Sequence, residues 1–595
     1  MSRLFLSIII SVYLAQSYSF SLVFAYLCII INSGSSTNAA HKPEHTASNT
    51  ENGKEKTQLS HIHTDTIMTT LHKPAVIAIA AMLSLAAALP AKAQSKPGTA
   101  EKTALAEEAR NTALPFISIK TVSGEKPTFT IIEDPYGMGK NAIKAEHTPA
   151  RMVMTLHGDT IYDSGDYVEK KSGIRIKVRG NTSAMLFEQT PYKLKLSKKA
   201  DLLFRNDKEK KSKDWALLSV YIPNDNMEKG QGHLQTMFGL ELARQAGMDW
   251  SPSQQFVNVA INGEYVGMYN LCETVERSTA RVNVDDSGFV IEDDAYWWNE
   301  SRYFRTERQK KDDWMGYTFK YPDEDDVTDD YLTTLSDYML SVENAIGNNN
   351  NPERFIDFTS FARWILAHDL LASADAAGTN IYYTKHDFDA ADATASPLKA
   401  GPLWDFGAIY KAPLDGWSLQ HTSSLTFYPQ LFKNEDFCKA YTALYDELSK
   451  TLPSNMQKAL DEYQSVNGEA FDKSEKLHQR LISYDAARTF AAQKEELLRL
   501  LNNHIATVGR LIKSGMLLTG ISSHHTTNLT KSSRYDMTGR NLTNIRPTAL
   551  PHGIYIERGA DGKTRKICRY HASPTVCMQN ASEKGMPPTG LHQYL

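Results

Sequence analysis

Cysteine is scarce in this chain: there are five, Cys28, Cys272, Cys438, Cys568 and Cys577, and none stands at C-x-x-C spacing. That excludes a thiolate zinc ribbon and a dense disulfide framework, and leaves open at most a Cys568–Cys577 bridge. An excess of charge is also missing. Lys and Arg number 65 against 69 Asp and Glu, a net charge of −4, so no general attraction to nucleic acid or to an anionic membrane is expected. Both long apolar stretches lie before residue 94, so no stable transmembrane span is expected in the mature chain. What is present, 595 residues of which 41% are hydrophobic, suffices to bury one large domain with small accessories.

The second apolar stretch has the layout of a secretory signal. A short basic start, Met68-Thr-Thr-Leu-His-Lys73, leads into an alanine-rich run from Pro74 to Leu89 and then the small-x-small site Ala91-Lys92-Ala93. Export to the periplasm, cell surface or medium is expected, with Gln94 as first mature residue. The earlier run, Leu4 to Ile31, is interrupted by Gln16, Ser17 and Ser19. Translation is therefore expected to start at Met68 rather than Met1, with an uncleaved N-terminal anchor as the alternative. The region 1–93 is set aside as targeting sequence.

Beyond a charged helical linker at 94–112, period-two alternation predicts strands at Phe116–Lys120, Thr128–Ile132, Met152–Leu156, Ile174–Val178 and Tyr192–Leu196. A helix over His233–Gln245, closed by Gly247, precedes a hairpin: Phe256–Ile261, the type I′ turn Asn262-Gly263, and Tyr265–Leu271. From Asp330 the period becomes helical. Helices are predicted over Tyr331–Ile346, from an Asp357 or Thr359 cap to Leu371, and over 435–450, 454–463 and 475–514. A polar linker at 516–530 precedes a β-rich tail at 531–566 and an unassigned extension at 567–595.

Two central segments carry the chemistry. Asp375-Ala-Ala-Gly-Thr-Asn380 is followed, after the strand Ile381–Lys385 and a loop, by Trp404-Asp405-Phe406-Gly407. Phosphoryl transfer needs a carboxylate at the acceptor hydroxyl and oxygen ligands that hold Mg²⁺ or Mn²⁺ against nucleotide phosphates, and protein kinases supply them in this order and spacing. The same segments would also suit an N-capping Asp, a turn Asn and a buried Trp beside a turn Gly. Upstream, Lys193 and Lys195 share one face of their strand while Tyr192, Leu194 and Leu196 share the other. His368 reads as a helix-face histidine, not a catalytic one.

Further blocks stand in a recognisable order: Leu114-Pro115, Val178-Arg-Gly-Asn-Thr-Ser183, Pro191-Tyr-Lys-Leu-Lys-Leu196, Asp214-Trp-Ala-Leu-Leu-Ser219, Val259 to Glu273, Phe319-Lys-Tyr-Pro322, Asp375 to Lys385 and Gly401 to Gly407. Together they resemble the spore coat protein H (CotH) kinase-like family over residues 113–515. The resemblance implies an α+β, atypical protein-kinase-like two-lobed fold, with a β-rich N-terminal half, a mostly helical C-terminal half and a small β-rich tail. It implies ATP and Mg²⁺ or Mn²⁺ as cofactors. Asp375 would be the catalytic base, Asn380 and Asp405 the metal ligands, and Lys195 then Lys193 the phosphate-binding cations. Arg179 and Ser183 would lie over the phosphates, and Glu273 would border the adenine site. Gln189 and Thr190 stand where the family often has lysines, and Gln235 and Thr236 where it commonly has Arg with Asn or Asp. Glu241 is a candidate partner for the strand lysine. The tail, Tyr535-Asp-Met-Thr-Gly-Arg540 and Gly553-Ile-Tyr555, resembles the sorting modules of proteins secreted by Bacteroidota.

The expected activity is transfer of the ATP γ-phosphate to Ser or Thr of a secreted or surface protein, or of the chain itself. The alternative is a catalytically silent surface protein that uses the fold to bind nucleotide, glycan or a partner. A carbohydrate-active enzyme would need Glu292 to Asp294 to face an aromatic cleft built on Trp297 and Trp298.

Overall fold

The computed structural model describes residues 96–220, 232–312, 314–374, 376, 378–392, 394–411, 416–417, 421, 423, 425–483 and 488–515, and three strands between 533 and 569. The signal segment at 68–93, Asp375 and Cys577 lie outside the described residues.

Ten strands build the first half: β1 (Phe116–Thr121), β2 (Thr130–Ile132), β3 (Ala142–Lys144), β4 (Thr148–Leu156), β5 (Asp159–Asp163), β6 (Ile174–Val178), β7 (Tyr192–Ala200), β8 (Ser212–Leu218), β9 (Gln254–Ile261) and β10 (Glu264–Glu273). Seven run in the order β1-β9-β10-β8-β7-β6-β4, and β1 pairs back onto β4, so the sheet closes into a barrel-like ring with β5 appended. Alternation along each strand sends one set of side chains inward. Ile117, Met152, Ile176, Leu194, Trp215, Val259 and Leu271 meet there in one buried cluster. Asn262 and Gly263, at φ 52° and 85°, make the expected tight turn between β9 and β10.

The helices are α1 (Thr99–Arg110), α2 (Thr182–Leu186), α3 (Leu234–Gln245), α4 (Glu307–Asp312), α5 (Asp329–Gly347), α6 (Phe358–Leu370), α7 (Tyr428–Leu431), α8 (Glu435–Ile482) and α9 (Phe490–Lys513). Caps fix where they begin. Thr328, Asp357, Asn434 and Thr489 each accept backbone N–H bonds at the start of α5, α6, α8 and α9, worth about 1 kcal/mol apiece. A second sheet has the order β12-β13-β11-β14-β15, with β11 (Phe289–Asp294), β12 (Tyr303–Phe304), β13 (Gly316–Tyr321), β14 (Ile381–Lys385) and β15 (Lys399–Ala400).

Two elements depart from expectation. The charged stretch near 99–112 is not a free linker: α1 buries Leu105, Ala106 and Ala109 against Phe116, Tyr265 and Leu477. Three separate helices expected after residue 435 are two, because α8 runs on through Pro453 and Gly468, and the break falls after Ile482. Burial of Leu452, Met456, Leu460 and Phe471 outweighs the lost hydrogen bond at Pro453.

Buried polar groups tie the barrel to α8. Asn258 donates to Thr112 Oγ1 and Ser474 Oγ, and Met268 N donates to His478 Nδ1. His233 Nδ1 lies 2.6 Å from Glu475 Oε2, both fully buried. Toward the C-terminus, β16 (Ser533–Asp536), β17 (Gly553–Arg558) and β18 (Thr564–Arg569) form a three-stranded antiparallel sheet. Among the described residues no helix is long and apolar enough to cross a membrane.

Candidate functional site

Barrel parity gathers cations on one outer face. Because Ile174, Ile176, Leu194 and Leu196 point inward, Arg175 and Lys177 of β6 and Lys193 and Lys195 of β7 point outward. The register sets Lys177 opposite Lys193 and Arg175 opposite Lys195. Like charges directly across a sheet repel, so two such pairs side by side are costly unless an anion covers them. Their field is felt nearby: burial first, then Lys177, Arg175, Lys193 and Lys195, lower the His147 pKa to about 4. Burial and the neighbouring Lys193 likewise lower the pKa of Lys177.

The carboxylates that answer this face come from β8 and from the segment after β10. Asp214 Oδ1 lies 3.2 Å from Lys193 Nζ and 3.9 Å from Lys195 Nζ. Glu276 Oε1 is 4.0 Å from Lys193. Burial and then the Asp214 charge raise the Glu276 pKa. Glu241, considered as the lysines' partner, is elsewhere: it pairs with Arg244 and accepts from Gln245 Nε2 at 2.7 Å. Sequence inspection missed Asp214 and the cations Arg175 and Lys177. The alternation that singled out Lys193 and Lys195 holds equally for β6 and would have found the two cations.

The loop after β6 reaches from this face to the Asp405 segment. Gly180, at φ 72°, turns the chain into the short helix α2, and a Cβ there would stand 2.3 Å from Ser183 Oγ, so Ser183 folds back over the turn. Arg179 extends over the Trp404 ring at 5.7 Å. Thr182 Oγ1 and Tyr296 Oη, 3.1 Å apart, make a second link from this loop to the β11 side.

The two central segments run alongside each other. Ala374 N donates to Ala408 O, and Gly401 N donates to Tyr382 O, so hydrogen bonds bracket the stretch that holds both Asn380 and Asp405. Asn380 and Asp405 share the left-handed backbone conformation, each at φ 58°, which short polar side chains tolerate best. Asp405 is exposed, and its Oδ1 accepts from Gly407 N at 3.1 Å. Phe406 is buried against α3, where Gly239 makes room: a Cβ on that glycine would lie 2.2 Å from the ring. His368 is buried between Trp364 and Phe406, and desolvation lowers its pKa to about 3, as a helix-face histidine requires. One residue on, Asp369 accepts from Tyr441 Oη and lies 2.7 Å from His421 Nε2, which ties the chain beyond Gly407 to α8.

Below the Asn380 turn lies an acidic cluster. Glu292 Oε1 accepts from Asn380 N at 3.1 Å, and Glu292 Oε2 is 3.0 Å from Lys320 Nζ. Burial and the adjacent Glu292 charge raise the Asp294 pKa to about 8, although Lys320 and the Tyr296 amide pull the other way. Trp297 is itself buried, packed between Tyr136 and Tyr303 with Arg305 over its ring. Glu292, Asp293 and Asp294 are buried as well, so this region is not the open aromatic cleft a glycosidase needs.

The remaining predicted residues have defined places. Glu273 shares the parity of Tyr269 and Leu271 and closes one end of the barrel interior. There its carboxylate meets Arg205 at 2.9 Å, Arg281 at 3.8 Å and Ser253 N at 2.9 Å. Its side chain is committed to the fold. Gln189 is buried and donates to Met268 O, and Gln235 and Thr236 are buried at the start of α3. Among the described residues no group of three or more His, Cys, Asp and Glu side chains is arranged to hold a metal ion.

Comparison with curated proteins gives no match. The family model described as CotH kinase protein matches residues 176–503, which is more than half of the chain and takes in Lys177, Lys193 and Lys195, α3, the Asn380 turn and the Asp405 segment. The chain belongs to the CotH kinase protein family.

Proposed function

We propose that this chain is an exported, kinase-like phosphotransferase that moves the γ-phosphoryl group of ATP to Ser or Thr hydroxyls of secreted or surface proteins, or to its own. The observation that carries it is the pair of like-charge cross-strand contacts, Lys177 with Lys193 and Arg175 with Lys195, on a face linked through Arg179 to Trp404 and Asp405. Polyphosphate is the ligand class that such a face suits.

Family membership implies ATP and a divalent metal, and the residues present fit both. Asp405 offers an exposed carboxylate and Asn380 an amide oxygen, hard donors for Mg²⁺ or Mn²⁺, whose remaining positions waters and phosphate oxygens would fill. Such a metal, when bound, neutralises charge on the phosphates. Lys193 and Lys195 bind the phosphates, Arg179 and Ser183 cover them, and Asp375 takes the acceptor proton. The bond from acceptor oxygen to phosphorus forms as the bond to the ADP oxygen breaks.

Incubation of the purified chain with labelled ATP and Mn²⁺, alone and with co-secreted proteins, followed by phosphosite mass spectrometry, tests this. Phosphorylated Ser or Thr, lost on Asp405→Asn, is the expected result. ATP binding without any transfer would instead support a catalytically silent binding protein, a role favoured by Gln189, which occupies a frequent lysine position and is spent on Met268 O.

A further inference from the structure

A cavity of about 480 Å³ opens between the turn after α3, the 279–284 loop, α6 and the β14–β15 pair. None of Arg179, Lys193, Lys195, Asn380 or Asp405 lines it. Its walls are mixed, with Met248, Trp250, Val282, Val284 and Pro402 supplying the apolar part.

The polar lining is what gives the cavity a chemistry. Arg281 lines it but is spent on Glu273 and Glu276. Lys399, at the rim, is 2.5 Å from Asp249 Oδ2. Arg363 of α6 differs. Its guanidinium lies against Gly247, and its Nε is buried with no hydrogen-bond partner. Among the described residues it makes no ion pair. A desolvated, unanswered donor on a permanent cation costs about 1–3 kcal/mol or more, and an anion at that position would recover it. A chamber of this size that combines an apolar wall with a few placed polar groups is the usual form of a small-molecule site.

We propose that this cavity is a second ligand site, which takes a small organic anion: a carboxylate or phosphate head on Arg363, and an apolar body against Val282, Val284, Met248 and Pro402. The site also touches the catalytic segment. Met248 Cε packs on Gly401, and Gly401-Pro402 leads directly to Trp404 and Asp405. The assignment does not depend on phosphotransfer, because it concerns binding alone.

The test is calorimetric titration of the full chain with benzoate and phenyl phosphate, with phenol as the neutral control. Benzoate or phenyl phosphate should bind, phenol should bind more weakly, and whichever anion is tighter identifies the preferred head group. Arg363→Ala should weaken the anion by about tenfold or more, the scale of a lost charge-assisted hydrogen bond, and Arg363→Lys by less. Lys193→Ala, on the separate cation face, should leave the benzoate titration unchanged. Ala280→Trp, which fills the chamber from its loop, should abolish binding and covers the case in which Arg363→Ala does not fold. Absence of binding overturns the proposal. So does equal binding of phenol, binding that survives both Arg363→Ala and Ala280→Trp, or benzoate binding lost on Lys193→Ala.

Discussion

Lys193 Nζ stands 3.2 Å from Asp214 Oδ1 on the neighbouring strand, while Lys177 faces the same lysine from the other side. Asp214 thus holds a lysine that the facing Lys177 pushes away. Removing either partner has separable results. Lys193→Ala and Lys195→Ala should each weaken ATP binding, because a cation on the phosphates acts in the ground state. Asp214→Asn should retain both cations but let them shift, and so lower turnover more than affinity. Equilibrium ATP binding and single-turnover kinetics on the three variants distinguish these outcomes. Identical losses in all three would show that Asp214 does not position the lysines.

Asp405 allows a clean metal test. Its φ of 58° is tolerated by Asn and strained for Ala, so Asp405→Asn keeps the turn while removing the anionic ligand. Mn²⁺-dependent ATP binding should disappear, and the melting temperature without nucleotide should stay within about 2 °C of wild type, since an exposed charge away from special features shifts stability by only about 0.5 kcal/mol. Thermal melts with and without Mn²⁺–ATP read both. Undiminished stabilisation by Mn²⁺–ATP would remove Asp405 from the metal site.

Gly239 predicts a sign. Replacing an interior helical Gly with Ala normally stabilises a helix by about 1 kcal/mol. Here the new methyl would meet the Phe406 ring at 2.2 Å. Overpacking of that kind costs about 1–3 kcal/mol, so Gly239→Ala should destabilise the chain slightly on balance and weaken Mn²⁺–ATP binding through displacement of the Asp405 turn. Urea denaturation and nucleotide titration check the two halves. A more stable variant with full ATP affinity would mean that Phe406 does not couple α3 to the turn.

Asp294 makes stability pH-dependent. Its folded pKa, about 8, lies above the unfolded carboxylate value, because burial and Glu292 disfavour its charge. The folded chain therefore binds the extra proton between those values. Asp294's contribution is fully present below the unfolded pKa and is lost as pH rises through about 8. Melting temperature should fall between pH 6 and pH 9, and Asp294→Asn, uncharged throughout, should flatten that fall. Parallel slopes for variant and wild type would assign the alkaline loss to other groups.

Local patterns made much of the barrel legible. Ile174–Val178 and Ile381–Lys385 are strands at the predicted bounds, and Asn262-Gly263 is the predicted turn, because period-two alternation and turn chemistry are short-range. The same parity put Lys193 and Lys195 on one face. It does not tell which residues stand across the sheet, so Asp214, Arg175 and Lys177 emerged only with the β6–β7–β8 register. Helix α8 covers 435–450, 454–463 and the start of 475–514, which read as separate helices because Pro453 and Gly468 are local breakers, whereas the burial that overrides them comes from α9, α6 and β10. Arg363 gave no signal at all. Its orphaned Nε lies against Gly247, far away in sequence.

Asp375 separates chemistry from binding. A carboxylate that orients the attacking hydroxyl and accepts its proton acts mainly in the transition state, so Asp375→Asn should lower turnover by about 10²–10⁴-fold, the usual scale of general-base catalysis, and barely change ATP affinity. Lys195→Ala should instead reduce both, since its ammonium would meet the phosphates before reaction. The pair is best compared by single-turnover phosphate transfer alongside calorimetric ATP binding in Mn²⁺. If Asp375→Asn loses affinity as steeply as Lys195→Ala, Asp375 belongs with the nucleotide and metal contacts and the proton must pass elsewhere. If it loses neither, the base has been assigned to the wrong carboxylate, and the buried acidic cluster around Glu292, which accepts from Asn380 N in the same turn, is the next place to look.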